Sequence, residues 1–174
     1  MFIFSTVLSA EKDGIDSAYK ADAALAFEKY CDTVFRLAFI RTGNKADADD
    51  VMSDVFLRLI RNIHKIKSEE HLKAWLIRAT INCSNSFFKR QKRINFVRIT
   101  EADEGYEMKE NSVLPAVLNL PVHQKTVIYM HYFEGYSVED IAALCGTATG
   151  TVKSRLARGR EALKSTLKGE FFDV

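Results

Sequence analysis

The stretch SVEDIAALCGTATGTVKSRLARGREALKSTL, from Ser137 to Leu167, limits the fold of this chain more than any other. Ser137 precedes an apolar run and has an acid three residues on, Asp140, a variant of the capping box that closes the first turn of a helix. Val138, Ile141, Ala142 and Leu144 give that helix one apolar side. Gly146 follows Cys145, where a left-handed residue is often needed to end a helix. A second helix is predicted from near Thr149, with Val152, Leu156, Gly159 and Leu163 at inward-facing spacing. Two helices around so tight a turn form a helix-turn-helix.

The outward side of the second predicted helix carries the chemistry. Thr151, Ser154, Arg155 and Arg158 form one stripe of donors, able to reach base edges and phosphates together. Thr149, at the helix start, joins this set, and Lys153, Arg160, Lys164 and Lys168 add charge for the DNA backbone. The plain alternative is a solvated basic face on an ordinary core helix; the capped helix and turn just before it favour DNA. Of the two arginines on the stripe, Arg155 is the expected base reader, and Arg158 is expected to mix base and phosphate contact.

Composition bounds the rest. The chain has 174 residues, 47% hydrophobic and 28% charged, enough for one or two small domains with real cores. The net charge of +2 says little, but its distribution is uneven. Bases crowd at Phe87–Arg98 and along the last helix, and acids at Asp47–Asp54 and Glu101–Glu110. That pattern suggests nucleic acid at the basic patches and a protein partner at an acidic one. Cys31, Cys83 and Cys145 are widely spaced and odd in number, so neither a disulfide framework nor a zinc ribbon is indicated, and each is expected to be a buried small hydrophobe. The four histidines lack metal-ligand spacing, and no metal or cofactor is expected. The apolar start, MFIFSTVL, has no preceding base and is too short to cross a membrane; it is read as an N-terminal extension over 1–18, in a cytoplasmic protein.

The front half reads as helices throughout. Phe27, Tyr30, Val34, Leu37 and Arg41 share a stripe that ends at Gly43-Asn44. A second helix opens with Asp47, Asp49 and Asp50, which suits the positive end of its dipole, and turns Val51, Val55, Leu59 and Ile63 inward. Asp50 and Asp54 lie four apart on one face, with Arg58 next along. This acidic pair suits a basic partner surface. It fits equally well an exposed face with an internal Asp54–Arg58 pair. After the polar segment Asn62–Glu70, a third helix begins with Leu72, Trp75, Leu76 and Ala79 and runs out into FFKRQKR. Phe87, Phe88, Lys89, Arg90, Lys92 and Arg93 interleave rings and cations, a combination suited to unstacked single-stranded DNA. At least one of the two Phe, and Trp75, are expected in the core. A weakly periodic, acidic segment over 96–111 reads as a linker, followed by a short helix near Ser112–Asn119 and another opened by Pro121. The expected fold is therefore all-α: helical domains over 19–95 and 112–174 joined by a flexible linker.

In this order of parts, from about Leu25 to Leu167, the chain resembles an extracytoplasmic-function (ECF) sigma factor of bacterial RNA polymerase. ADADDVMSDVFLRLI, from Ala46, is similar to the family's core-binding helix of region two; HLKAWLIRATINCSNSFFKRQKR, from His71, to the helix after it; and LPVHQKTVIYMHYFEGYSVEDIAALCGTATGTVKSRLARGREAL, from Leu120, to region four. GTVKSRLARGR is the most specific match, whereas Ser53 and Asp54 stand where the family usually has Gln and Glu. The resemblance implies that Asp49, Asp50, Asp54 and Arg58 dock on the clamp helices of the beta-prime subunit of RNA polymerase. It implies that Arg78, Asn82, Lys89, Arg90, Lys92 and Arg93 contact and melt the minus-ten promoter element. The rear domain would read the minus-thirty-five element and touch the beta flap. An anti-sigma factor is an expected partner, and a small-molecule substrate is not.

Two other classes compete. A self-sufficient DNA-binding regulator would use the same helix-turn-helix, with a front half that senses a ligand or dimerises. An enzyme has little support, because no triad, metal site or phosphate loop is visible.

Overall fold

The computed structural model describes residues 17–94 and 113–172, with side chains over 21–91 and 113–167. The acidic linker, most of the N-terminal extension and the side chains of Lys92, Arg93 and Lys168 lie outside these. Seven helices and no strand are found among the described residues: α1 (Ser17–Thr42), α2 (Lys45–Asn62), α3 (Glu69–Ile94), α4 (Leu114–Leu118), α5 (Val122–Tyr132), α6 (Val138–Cys145) and α7 (Thr149–Phe172), with a 3-10 turn at Ile63–Lys65. The chain divides into two compact units, 1–38 with 46–99 and 39–45 with 100–174.

The first unit is built on three long helices. Tyr30, Val34 and Leu37 of α1 are buried, as the stripe predicts; Phe27 is half-buried, its ring edge-on to Phe56 of α2 at 4.7 Å. α1 stops where Gly43 takes φ 87°, a conformation that side chains with a Cβ rarely adopt. Val51, Val55, Phe56 and Leu59 of α2 are at most 1% exposed, so its 3.6-residue period sets the inward face. Each such side chain contributes roughly 1.5–3 kcal/mol by leaving water. α3 begins at Glu69, three residues before the predicted start at Leu72. Lys29 and Tyr30 of α1 both reach the Glu69 carboxylate, the tyrosine at 3.0 Å, and so join the start of α3 to α1. Deep in α3, Thr80 and Ser84 are fully buried, and their hydroxyls donate to the carbonyls of Leu76 and Thr80 at 2.8 and 2.7 Å. Their polar atoms are satisfied by their own helix.

Several core expectations need correction. Trp75 is half-buried, and so are Phe87 and Phe88, whose rings meet edge to face at 5.9 Å. Only Cys83 is a buried cysteine; Cys31 and Cys145 are half-buried. In each case the residue sits at the margin of an apolar stripe, where period alone does not separate core from rim.

The second unit packs α4, α5 and α6 against α7. Ser137 caps α6 as predicted: its Oγ accepts the Asp140 backbone N–H at 3.1 Å, and the Asp140 carboxylate accepts the Ser137 N–H at 3.3 Å. Gly146 ends the helix at φ 61°. Ile141, Val152 and Leu156 form the seam between α6 and α7, while Leu163, further along, is only half-buried. At Gly159, α7 passes close to α5. A Cβ placed there would lie 2.8 Å from Cγ1 of the buried Ile128.

Candidate functional site

The turn between α6 and α7 fixes how α7 is presented. The capping box sets where α6 starts, the left-handed Gly146 sets where it stops, and the Val152–Leu156–Gly159 seam locks the roll of α7. An α-helix turns about 100° per residue, so the roll decides which side chains face out. Thr151, Ser154, Arg155 and Arg158 then share one stripe, with Ser154 opposite the seam and Arg155 at the edge nearest it. Ser154 and Arg158 are exposed; Thr151 and Arg155 are half-buried at its edge. Ser154 Oγ donates to the Thr151 carbonyl at 2.9 Å. Thr149 and Lys153, also exposed, lie on the other flank of the helix, in line with Arg160 and Lys164. The residues proposed from sequence as one set thus occupy two flanks of the same N-terminal turns.

Arg155 is half-buried on its own domain. Its charge is felt at His123 of α5, where partial burial and then Arg155 push the imidazole below its ordinary range. It is felt also at Cys145, whose thiol is raised by burial against the opposing pull of nearby arginine. A half-buried side chain has less freedom left to lose on meeting a base edge or a phosphate than an exposed one such as Arg158.

α3 carries the second basic face. Arg78, Asn82 and Lys89 are exposed and fall on one stripe along the helix. Arg90, the next residue, turns about 100° away from Lys89. Its Nη2 lies 3.6 Å from Oδ2 of Asp54 on α2. Lys92 and Arg93 continue the helix backbone. On α2, Asp50 and Arg58 are exposed, and Asp49 and Asp54 are half-buried. Ser53 Oγ donates to the Asp49 carbonyl at 2.8 Å, which turns the hydroxyl back onto the helix. Sequence reasoning offered Asp54–Arg58 as the internal alternative for this face; Asp54 instead pairs across helices with Arg90.

One feature lay beyond the reach of the sequence. An open groove of about 390 Å³ runs beside α1, lined by Leu25, Tyr30, Ile63, Ile66, Glu69 and Leu72. Leu25 is 65% exposed at its edge. It joins residues some forty positions apart, which no local spacing reveals. Among the described residues, no group of three or more His, Cys, Asp or Glu converges as a metal site would, and no helix is long and apolar enough to cross a membrane.

Comparison with known proteins agrees with this layout. Residues 26–94 match the Sigma-70 region 2 family and residues 111–163 the Sigma-70, region 4 family. The chain is 28% identical over 141 residues to RNA polymerase sigma factor SigV of Bacillus subtilis, covering 78% of this chain and 85% of that one. It is 30% identical over 138 residues to the ECF sigma factor EcfG of Rhodopseudomonas palustris, covering 72% and 74%. In fold it is similar to the sigma factor RpoE of Bartonella quintana, solved in complex with the anti-sigma factor NepR, with a TM-score of 0.66 at 24% identity over 88% of this chain and 98% of that one. With both sigma regions matched in order, the chain belongs to the ECF family of RNA polymerase sigma factors.

Proposed function

We propose that this sigma factor divides promoter-specific transcription initiation between its two units at the residues described above. Core RNA polymerase takes the acidic face of α2, with Asp49, Asp50, Asp54 and Arg58 against the beta-prime clamp helices. Promoter DNA then meets two helices. The stripe on α7, Thr151, Ser154, Arg155 and Arg158, reads the minus-thirty-five element, with Thr149 and Lys153 on the adjoining flank against the backbone. The exposed stripe of α3, Arg78, Asn82 and Lys89, together with Arg90 beside it and Lys92 and Arg93 beyond, holds the minus-ten element as it opens. The second unit also touches the beta flap.

The observation that carries this reading is the capped helix pair α6–α7. Its buried seam leaves one row of hydroxyl and guanidinium donors outward. Arginine makes two hydrogen bonds to a guanine edge, worth ~1–3 kcal/mol of discrimination, or binds a phosphate with no sequence information. Arg155, half-buried on its own domain, is the better base reader, and Arg158 mixes the two roles. We assign the linker acids Glu101, Asp103, Glu104 and Glu107 to the basic path that nascent RNA takes out of the polymerase, so neutralising them should alter initiation or escape more than promoter binding. A cytoplasmic protein of this kind is held in check by an anti-sigma factor, as RpoE is bound by NepR.

Polymerase dependence tests the reading. The purified protein alone should bind duplex promoter DNA weakly, because one small helix-turn-helix makes few phosphate contacts. With core polymerase, promoter-specific transcripts should appear. Nanomolar binding of a specific duplex by the protein alone, as a dimer, would establish the self-sufficient regulator instead.

A further inference from the structure

The Asp54–Arg90 pair joins the two jobs of the first unit. Asp54 lies on the acidic face assigned to the polymerase, and Arg90 on the helix assigned to the melted strand. Their charged atoms are 3.6 Å apart, within ion-pair range but longer than a tight hydrogen bond. Both side chains are accessible, at 41% and 61%, so either partner can be exchanged. Arg58 lies four residues on from Asp54, on the same side of α2. The Asp54 carboxylate thus has Arg90 across the helices and Arg58 one turn along its own helix.

We propose that Asp54 is a positioning residue that controls Arg90: in the free protein its carboxylate holds the guanidinium away from nucleic-acid phosphates, and docking on the polymerase, by drawing off that carboxylate, frees Arg90 for the single strand. The inference rests on the assignment of α2 to the polymerase and of α3 to melted DNA. A basic docking surface and Arg90 compete for the same carboxylate. Phosphate and Asp54 compete for the same guanidinium. Core binding therefore strengthens single-strand contact without any rearrangement of the helices. Lys89, one residue earlier on the exposed stripe, has no such restraint from Asp54 and serves as the unregulated neighbour.

The test uses the full chain and a fluorescent thymidine oligonucleotide, titrated at several salt concentrations. Asp54→Asn keeps the shape and removes the charge. It should raise single-strand affinity of the free protein by up to about fivefold at low salt, the ceiling an exposed ion pair sets. It should also steepen the salt slope by roughly 0.7, one more phosphate neutralised on a single strand. Asp54→Glu should behave as the native protein. In Asp54→Asn/Arg90→Gln both gains should vanish. If the double variant keeps the gain, the effect is general charge and the proposal fails; it fails equally if Asp54→Asn changes nothing. A second arm tests the underlying assignment. Arg90→Gln in the assembled holoenzyme should slow promoter opening measured by permanganate reactivity of unpaired thymines. Unchanged opening removes Arg90 from the DNA contact, whatever the free protein does. Slowed opening with an inert Asp54→Asn leaves the assignment standing and removes only the control by Asp54.

Discussion

Gly159→Ala probes the packing that sets the roll of the DNA-reading helix. Two effects oppose. Alanine inside a helix is favoured over glycine by about 1 kcal/mol. The new Cβ would, however, lie 2.8 Å from Cγ1 and 3.2 Å from Cδ1 of Ile128, while Cβ of Gln124 at 3.7 Å is an ordinary contact. Ile128 is 1% exposed, and Cγ1 is close to its backbone, so the side chain cannot swing clear. Forcing extra carbon into a packed core typically costs ~1–3 kcal/mol. The packing cost therefore wins, and the variant should lose roughly 1 kcal/mol net. Urea unfolding of the full chain by far-UV circular dichroism would measure this. The sign should reverse once the obstacle is removed: in an Ile128→Ala background, Gly159→Ala should stabilise by up to about 1 kcal/mol. If Gly159→Ala stabilises the native protein, the close approach of α5 and α7 is wrong and the roll of α7 is not fixed there.

Three further outcomes follow from the same geometry. Ser137→Ala removes the acceptor for the Asp140 N–H and should cost about 1 kcal/mol in urea unfolding, with Ser137→Thr retaining most of it. Asp50→Lys, at an exposed position, should leave helix content unchanged but weaken core polymerase in competition with another sigma factor; equal competition would remove Asp50 from that surface. Burial holds the Lys125 ammonium down to about 8 against its ordinary 10.5, so the folded state binds that proton less tightly than the unfolded chain. Its charge thus costs stability below about pH 8, a cost that fades as pH rises toward 10.5. The stability difference between Lys125→Met and native should favour the variant most near neutral pH and shrink across that window. A difference independent of pH would mean that Lys125 titrates normally.

The local parts of this account were legible in the sequence because each rests on short-range chemistry. A serine three residues before an acid caps α6, a glycine past an apolar run ends it, and inward residues every three to four positions gave the seams of α2 and α7. What period cannot show is which residue at the margin of a stripe is enclosed. Trp75, Cys31, Cys145 and at least one of Phe87 and Phe88 are expected inside from period, yet all five are half-buried. Nor can it show cross-helix partners. Asp54 has a plausible partner four residues along in Arg58, yet the fold brings Arg90, thirty-six positions away, to 3.6 Å. The split of the α7 residues between two flanks follows from their spacing: Thr149 and Lys153 share the chemistry of the stripe but not its angle.

The most direct test of the division of labour is a matrix of run-off transcription, with each holoenzyme tried against promoters altered singly in the upstream or the downstream element. Arg155→Ala should lose preference at one position of the upstream element, while its response to downstream changes stays native. Lys89→Gln should leave upstream preference intact and reduce opening on all templates, more so where the downstream element is harder to melt. Arg155→Ala transcription that keeps native preference at every upstream position, or that responds instead to downstream changes, would contradict the placement of α7 on the minus-thirty-five element.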